Sequence, residues 1–376
     1  MKKIILAILA VLMLAIPISA AEYTYSSEEY GSDAAGRKWN ELMNALPEDI
    51  KDELGTYDLS NAAGAVAEKT DVRYWLGRCW GAIMGAARES LPDMQMLLSV
   101  ILLTVLAKAL LPDMSQSIYD SFNMLARAAV AIPLMSATFR ALLNAQTFLT
   151  NICSLMNTMT PVMDVLYIAE GSLTEASVAT GGVMLAVTVI GNINANLIAP
   201  ITSVLFTLAA VTSVCGDVGL GGFTDGVRKF LMRIWQIVTL LFSFMIGTQS
   251  VIARSADTLA TRTARFAIGS MVPVAGGIIS EAYNTLREGV KYLKTAAGAG
   301  GIILILLILL SGIVPLLLYK AAFGITAYGA DMLGLDSTSK LLREIKGVMD
   351  LIIAIVLYTS MMFVFAIVLF AKSREG

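Results

Sequence analysis

From residue 94 onward the chain alternates long apolar runs with short polar connections. Met94–Leu111, Ile118–Leu143 and Thr147–Ala169 are the first three runs. Gly181–Val214 is longer and is interrupted by Asn192, Asn194, Asn196 and Pro200, whereas Ile234–Ile252 is clean. Ala267–Ser280 is short and split by Pro273 and Gly276-Gly277; Ile302–Phe323 and Met349–Ala371 complete the series. These runs are continuously apolar. A transmembrane barrel would instead need repeated strands of about ten alternating residues. Helices are predicted throughout, because backbone groups in hydrocarbon must pair within their own segment. The expected fold is all-α, a polytopic helical membrane protein.

Ahead of the spans the pattern changes twice. Met1-Lys2-Lys3 is a basic start, Ile4–Ile16 an apolar run, and Pro17-Ile18-Ser19-Ala20-Ala21 a small-residue exit. Residues 1–21 therefore read as a cleavable signal peptide, with an uncleaved anchor as the alternative. Residues 22–92 carry 13 acidic and 7 basic side chains and no long apolar run. They predict a short acidic, helical extracytoplasmic segment, with a helix start at Pro47-Glu48-Asp49. Tyr74-Trp75 and Trp80 suit a bilayer interface, and Gly77, Gly81 and Gly85 would form one smooth helical stripe. First membrane helices are expected over 93–143, and residues 372–376 form a basic tail.

Composition removes most chemistry. Hydrophobic residues make up 57% and charged residues 15%, against about 45–50% and about 25% in soluble domains. There is no His, which excludes Ser-His-Asp triads and HExxH zinc sites. Cys79, Cys153 and Cys215 are too few and too widely spaced for a disulfide framework or a metal knuckle. No GxxxxGK[ST] loop occurs, and Val214-Cys215-Gly216-Asp217 lacks the first Gly of an intramembrane protease signature. A net charge of −2 gives no case for nucleic acid. No enzyme activity, catalytic residue, metal or cofactor is expected.

Two parts of the chain echo each other. Pro161 and Pro273, Gly181-Gly182 and Gly300-Gly301, Pro200 and Pro315, and Lys229 and Lys340 recur in the same order at nearly constant spacing. They suggest an internal duplication, 140–252 and 254–371. Matching broken segments are a feature of transport folds. Asn192 and Asn196 share a helix face, as a polar lining or as interhelical glue. Arg127 and Asp164 are intramembrane charges that would need protein, water or each other; they are the candidate pair unless one lies nearer the interface. Met271, Val272, Pro273, Gly276 and Gly277 form a broken element too short to span. It is expected as a conduit lining or a docking point for a partner subunit, with a helix lying flat on the bilayer as the alternative. Parity of crossings stays open, because Gly181–Val214 can count once or twice. The basic clusters Arg228-Lys229-Arg233 and Lys340-Arg343-Lys346 prefer one side, and Arg254, Arg262, Arg265, Arg287, Lys291 and Lys294 compete for it.

The block from Arg265 to Thr285, RFAIGSMVPVAGGIISEAYNT, resembles the stage III sporulation protein AE family, as does Lys294–Gly301, KTAAGAGG. The order of signal peptide, acidic segment and many spans is similar to that family over essentially the whole chain. The resemblance implies a membrane subunit of a transenvelope channel or secretion-like complex linking mother cell and forespore, supporting forespore development and late gene expression. It implies location in the mother-cell-derived outer forespore membrane. The implied partners are membrane lipid and the other membrane and ring-forming subunits, including an ATPase subunit and a forespore-side partner. No catalytic residue is carried over. A stand-alone secondary transporter of a small solute and a scaffold anchoring partner rings remain the alternatives.

Overall fold

The computed structural model describes residues 32–48, 50–51, 72–110, 116–193, 199–215, 221–271 and 276–372; most side chains between 252 and 288 lie outside that description. Eight helices run in order among these residues: α1 Ser32–Ala45, α2 Val72–Ala109, α3 Gln116–Ala169, α4 Leu173–Ile193, α5 Ala199–Cys215, α6 Gly221–Met271, α7 Gly276–Met332 and α8 Asp336–Ala371. Six of them, α2, α3, α4, α6, α7 and α8, are long and apolar enough to cross a membrane. The chain is a multi-pass helical membrane protein. The signal segment is outside the described residues.

Several helices outrun a bilayer. α3, α6 and α7 have 54, 51 and 57 residues, about 77–86 Å at 1.5 Å per residue. The two expected spans Ile118–Leu143 and Thr147–Ala169 are thus one helix. Asn144-Ala145-Gln146 between them is polar but holds no Gly or Pro, so nothing there ends the backbone pattern, and Pro133 and Pro161 are absorbed. The expected boundary at 92 likewise falls inside α2, which carries Pro92 in its interior. Gly181–Val214 does divide, into the end of α4 and α5.

Cross-helix contacts fix the direction of every crossing. Tyr319 donates to Asp93 at 3.0 Å, and Lys108 Nζ donates to the Gly334 carbonyl at 3.0 Å, so α2 and α7 run parallel. α3 and α4 reverse through a tight turn in which Gly171 takes φ 81°, a conformation suited to glycine. Gln236 donates to the Tyr358 hydroxyl at 2.7 Å, the Arg228 guanidinium lies over Gly347, and Gly247 faces Phe365. α6 and α8 are therefore parallel too. Residue 72 and residue 371 lie at one end of the bundle, termed upper; the α7–α8 turn marks the lower end.

The parity question closes on these directions. α4 ends and α6 begins at the lower end, so α5 and its two short connections enter and leave there and add no crossing. Both Arg228-Lys229-Arg233 and Lys340-Arg343-Lys346 stand at the lower end. Lys294 stands at the upper end, on the arm of α7 that carries Arg287 and Lys291. The second half does not repeat the break: where the first half has α4, a connection and α5, the second has α7 alone, with Pro315 inside it.

One continuous core joins the elements. Trp39 and Leu42 of α1, Leu97 of α2, Phe148 and Met156 of α3, Phe242 of α6, Leu304 of α7 and Phe363 of α8 are all buried in it. Glycines set the closest approaches. A Cβ on Gly298 would collide with the Ala371 side chain and backbone, one on Gly301 would meet Ile367 and Met159 at 3.0 and 3.1 Å, and one on Gly312 would meet Phe148 at 2.6 Å. Such contacts let α7 approach its neighbours closely, as small residues do in membrane bundles.

Candidate functional site

Charges bracket the apolar spans at two levels. At the upper level Lys294 Nζ of α7 meets Glu170 Oε2, in the turn after α3, at 2.8 Å, with side chains 1% and 0% exposed. The ammonium lies 4.3 Å from the Tyr167 ring centroid and 5.8 Å from that of Phe370, and the two rings meet edge to face. At the lower level Asp93 of α2 is buried and accepts from Tyr319 of α7 and Arg140 of α3, and Lys320 pairs with Asp350 at 2.5 Å. Between these levels no charge occurs on α7 from 295 to 319 or on α8 from 351 to 371. The latter stretch rises about 31 Å, the thickness of a hydrocarbon core.

The surface between the levels has two unlike faces. On α8 the exposed positions are Leu357, Met361, Phe365 and Val368, and on the span of α6 Leu240, Phe244 and Val251 are exposed together with Gln236, which donates to Tyr358. The apolar positions suit lipid. On the upper half of α3 the exposed positions are Thr147, Thr150, Ser154, Asn157 and Pro161, at steps of three and four. The same stretch buries Phe148, Leu149, Ile152, Leu155, Met156, Met159, Val162 and Met163. The helix is amphipathic in the sense expected of a water-facing surface, although its sequence lies within an apolar run. α4 shows the same habit: after Leu173 at its start, it exposes Thr174, Ser177, Gly181, Met184, Thr188 and Asn192.

The two polar stripes adjoin. Thr180 of α4 donates to Asp164 Oδ1 of α3, which sits one step above Pro161 on the α3 stripe. Together they make a polar wall two helices wide. It runs from Thr147 to Asp164 on α3 and from Asn192 to Thr174 on α4, about 25 Å at the helical rise. Several of its hydroxyls are satisfied by their own helix: Thr150 donates to the Gln146 carbonyl at 3.0 Å and Ser177 to the Leu173 carbonyl at 3.1 Å. The Asn192 amide donates to the Thr188 carbonyl at 2.9 Å. The wall is polar and, Asp164 apart, uncharged. Among the described residues no group of three His, Cys, Asp or Glu side chains is placed to hold a metal ion.

Residues 67–373, which carry both the wall and the bracketing charges, match the family described as stage III sporulation protein AE. The chain belongs to the stage III sporulation protein AE family. A curated relative, stage III sporulation protein AE of Bacillus subtilis (strain 168), is 22% identical over 301 residues, covering 77% of this chain and 71% of the relative. No solved structure matches.

The family chain places the sequence-selected residues unevenly. Asn192 lies at the foot of the wall; Asn196 falls outside the described residues. Asp164 belongs to the wall, but its partner is Thr180 and not Arg127. Arg127 and Asp164 share α3, so about 55 Å of continuous helix separates them and the expected pair does not form. Arg127 Nε instead donates to the Asn123 carbonyl at 3.1 Å near the lower end. Val272 and Pro273 lie outside the described residues, and of Met271, Gly276 and Gly277 only the backbone is described. The backbone nevertheless locates the element's ends. α6 continues as helix from Gly247 to Met271, and α7 is already helical at Gly276, well before it reaches Lys294. Both arms put these ends roughly 27–29 Å past the Lys294 level. The flanking polar segments thus continue as helix up to both ends of the element.

Seven wall residues, Thr147, Thr150, Ser154, Asn157, Thr174, Ser177 and Thr188, escape a reading by hydropathy, as does the Glu170–Lys294 pair. The spacing of polar residues within Thr147–Ala169 carries the first signal. Its window average hides it, since every second or third residue is Leu, Met, Val or Ile.

Proposed function

We propose that this sporulation-family chain is the non-enzymatic membrane subunit of a transenvelope conduit between mother cell and forespore, with the α3–α4 wall turned toward its aqueous path. The wall carries the proposal: one face presents Thr147, Thr150, Ser154, Asn157, Thr188 and Asn192 across a membrane-deep span, while α6 and α8 present lipid-suited side chains. Exposed amides and hydroxyls belong beside water or protein, not acyl chains. An essentially uncharged polar lining admits small solutes of either sign. With the 22–71 segment exported, the upper end faces the intermembrane space of the outer forespore membrane. The α6 and α7 arms then reach toward a forespore-side partner, and the lower end meets the ATPase-bearing side in the mother cell. A parallel duplication, 140–252 with 254–371, fits the common direction of α6 and α8.

Single cysteines at Ser154, Asn157, Ser177 and Thr188, in a background lacking Cys79, Cys153 and Cys215, test the wall in sporulating cells. A charged, membrane-impermeant thiol reagent should modify them in the assembled complex and leave Leu357→Cys and Met361→Cys untouched. Equal inertness at both sets would show a wall sealed by protein, and the chain would act as a scaffold. Solute flux through the purified chain alone in liposomes would instead indicate a stand-alone transporter.

A further inference from the structure

At the lower end, away from the wall, a cavity of about 130 Å³ opens between α2, α3 and the α7–α8 turn, with Lys108, Asn123, Arg127, Gly334, Asp336 and Thr338 among its lining residues. It has room for a few water volumes of about 30 Å³ each. We propose that it binds one phosphoryl group, presented by the headgroup of an anionic phospholipid.

Four observations converge on an anion. Two cations, Lys108 and Arg127, line one small space against a single carboxylate, Asp336, among the described lining residues. α8 begins there, with Leu335 at its N-cap and no side-chain cap, so its first-turn N–H groups and positive dipole end are directed at the same place. Thr338 is 2% exposed and lines the cavity, and its hydroxyl can donate to a bound oxyanion. Arg127 and Lys108 are already oriented, through the Asn123 and Gly334 carbonyls. Guanidinium, ammonium, hydroxyl and helix N–H groups together make a donor set suited to a tetrahedral oxyanion.

The rim identifies the source. Leu110 follows Lys108, Met124 and Leu125 precede Arg127, and Met332 and Leu333 precede Gly334; all five are exposed. A ligand with a charged head and an apolar body satisfies both the cavity and its rim. Basic pockets between membrane helices take anionic headgroups in this way.

Native mass spectrometry of the full chain in mild detergent provides the test. Short-chain phosphatidylglycerol, phosphatidylcholine and inorganic phosphate are titrated separately and in competition. One phosphatidylglycerol should be retained at least tenfold more tightly than phosphatidylcholine. Arg127→Glu should abolish that retention, Arg127→Lys should restore most of it, and Thr338→Val should weaken it several-fold. Lys229→Gln, at the same end but off the cavity, should leave it intact. Inorganic phosphate that competes at millimolar concentration confirms recognition of the phosphoryl group itself. Phosphate binding without any lipid binding would keep the site and assign its source to solution. Retention unchanged in Arg127→Glu and Thr338→Val, or no binding of either probe by the folded wild type, overturns the proposal.

Discussion

Replacing Lys294 by Met should cost far more alone than together with Glu170→Gln. The pair stands at 2.8 Å with both side chains buried. Its gross attraction at an effective dielectric near 20 is about 6 kcal/mol, and desolvation of the two ions offsets most of that. The net worth of the pair is therefore small, but the cost of orphaning one member is not. Glu170 Oε1 already lacks a partner among the described residues, so Lys294→Met strands a whole carboxylate in the core, at about 3–5 kcal/mol. Glu170→Gln leaves an ammonium that keeps the faces of Tyr167 and Phe370, a contact worth up to about 2 kcal/mol when desolvated, so its cost is lower. The double variant puts a thioether between two aromatic rings and a neutral amide beside it, which restores most of the loss. Reversible unfolding by sodium dodecyl sulfate from a mild detergent, followed by tryptophan fluorescence, measures all four corners of the cycle. A coupling of about 2 kcal/mol or more is expected. Additive single and double variants, within about 0.5 kcal/mol, would refute the claim that these two groups hold the upper end together as a unit.

Three further outcomes are expected. Gly312→Leu and Gly298→Leu should each destabilise by at least the roughly 1–3 kcal/mol of overpacking, because the added side chain meets Phe148 or the Ala371 backbone; unchanged detergent unfolding would contradict the close approach. Asp93→Leu should loosen the lower end, leaving Arg140 and the buried Tyr319 hydroxyl without their shared acceptor, and faster proteolysis between α2 and α3 would report it. Lys229→Cys and Lys340→Cys should react from the same side of a sealed membrane and Tyr292→Cys from the other, since α6 and α8 both begin at the lower end; reaction of the first two from opposite sides would invert the derived topology.

What can be read from the sequence, and what cannot, follows from the range of each physical effect. Apolar run length reports membrane depth directly, so most spans and the all-helical class are legible. Where a helix ends is decided by local breakers, and Asn144-Ala145-Gln146 contains none; the polar triplet reads as a connection, yet α3 passes through it as one helix. Dividing α3 there puts Arg127 and Asp164 on two separate helices and makes a pair of residues that stand about 55 Å apart along one. The reverse happens at Ala267–Ser280, where shortness and Pro273 suggest re-entry. The arms on either side remain helical to Met271 and from Gly276, and residues 272–275 between them lie outside the described residues. Asn192 stands out because an amide is conspicuous in an apolar run. The rest of the wall does not, since Thr and Ser are only weakly polar on hydropathy scales and their spacing, not their number, holds the information. Lys294 lies within the family-like KTAAGAGG block, yet only the fold brings Glu170, 124 positions away, to meet it.

The width of the wall bears on how the chain works. Two helices with side chains are each about 10–12 Å across, so α3 and α4 offer a polar front of roughly 20–24 Å. A front of that width cannot close on itself around water. α6 and α8 do not extend the polar front, because between the charged levels their exposed positions are Leu, Phe, Met and Val apart from Gln236, whose amide donates to Tyr358. On the proposed conduit reading, an aqueous path bounded by this wall is finished by other walls, from further copies of the chain or from other membrane proteins. That requirement separates the conduit reading from a stand-alone transporter, whose substrate site lies between broken helices of one chain. It also explains why hydroxyls on the wall bond back to their own helices. On the same reading, a surface that is stable in the bilayer before any partner covers it has to hide its donors from lipid, and carbonyls four residues back provide the means. Asp164, a carboxylate that cannot donate to a carbonyl when ionised, is instead held across the helix pair by Thr180 at the upper edge.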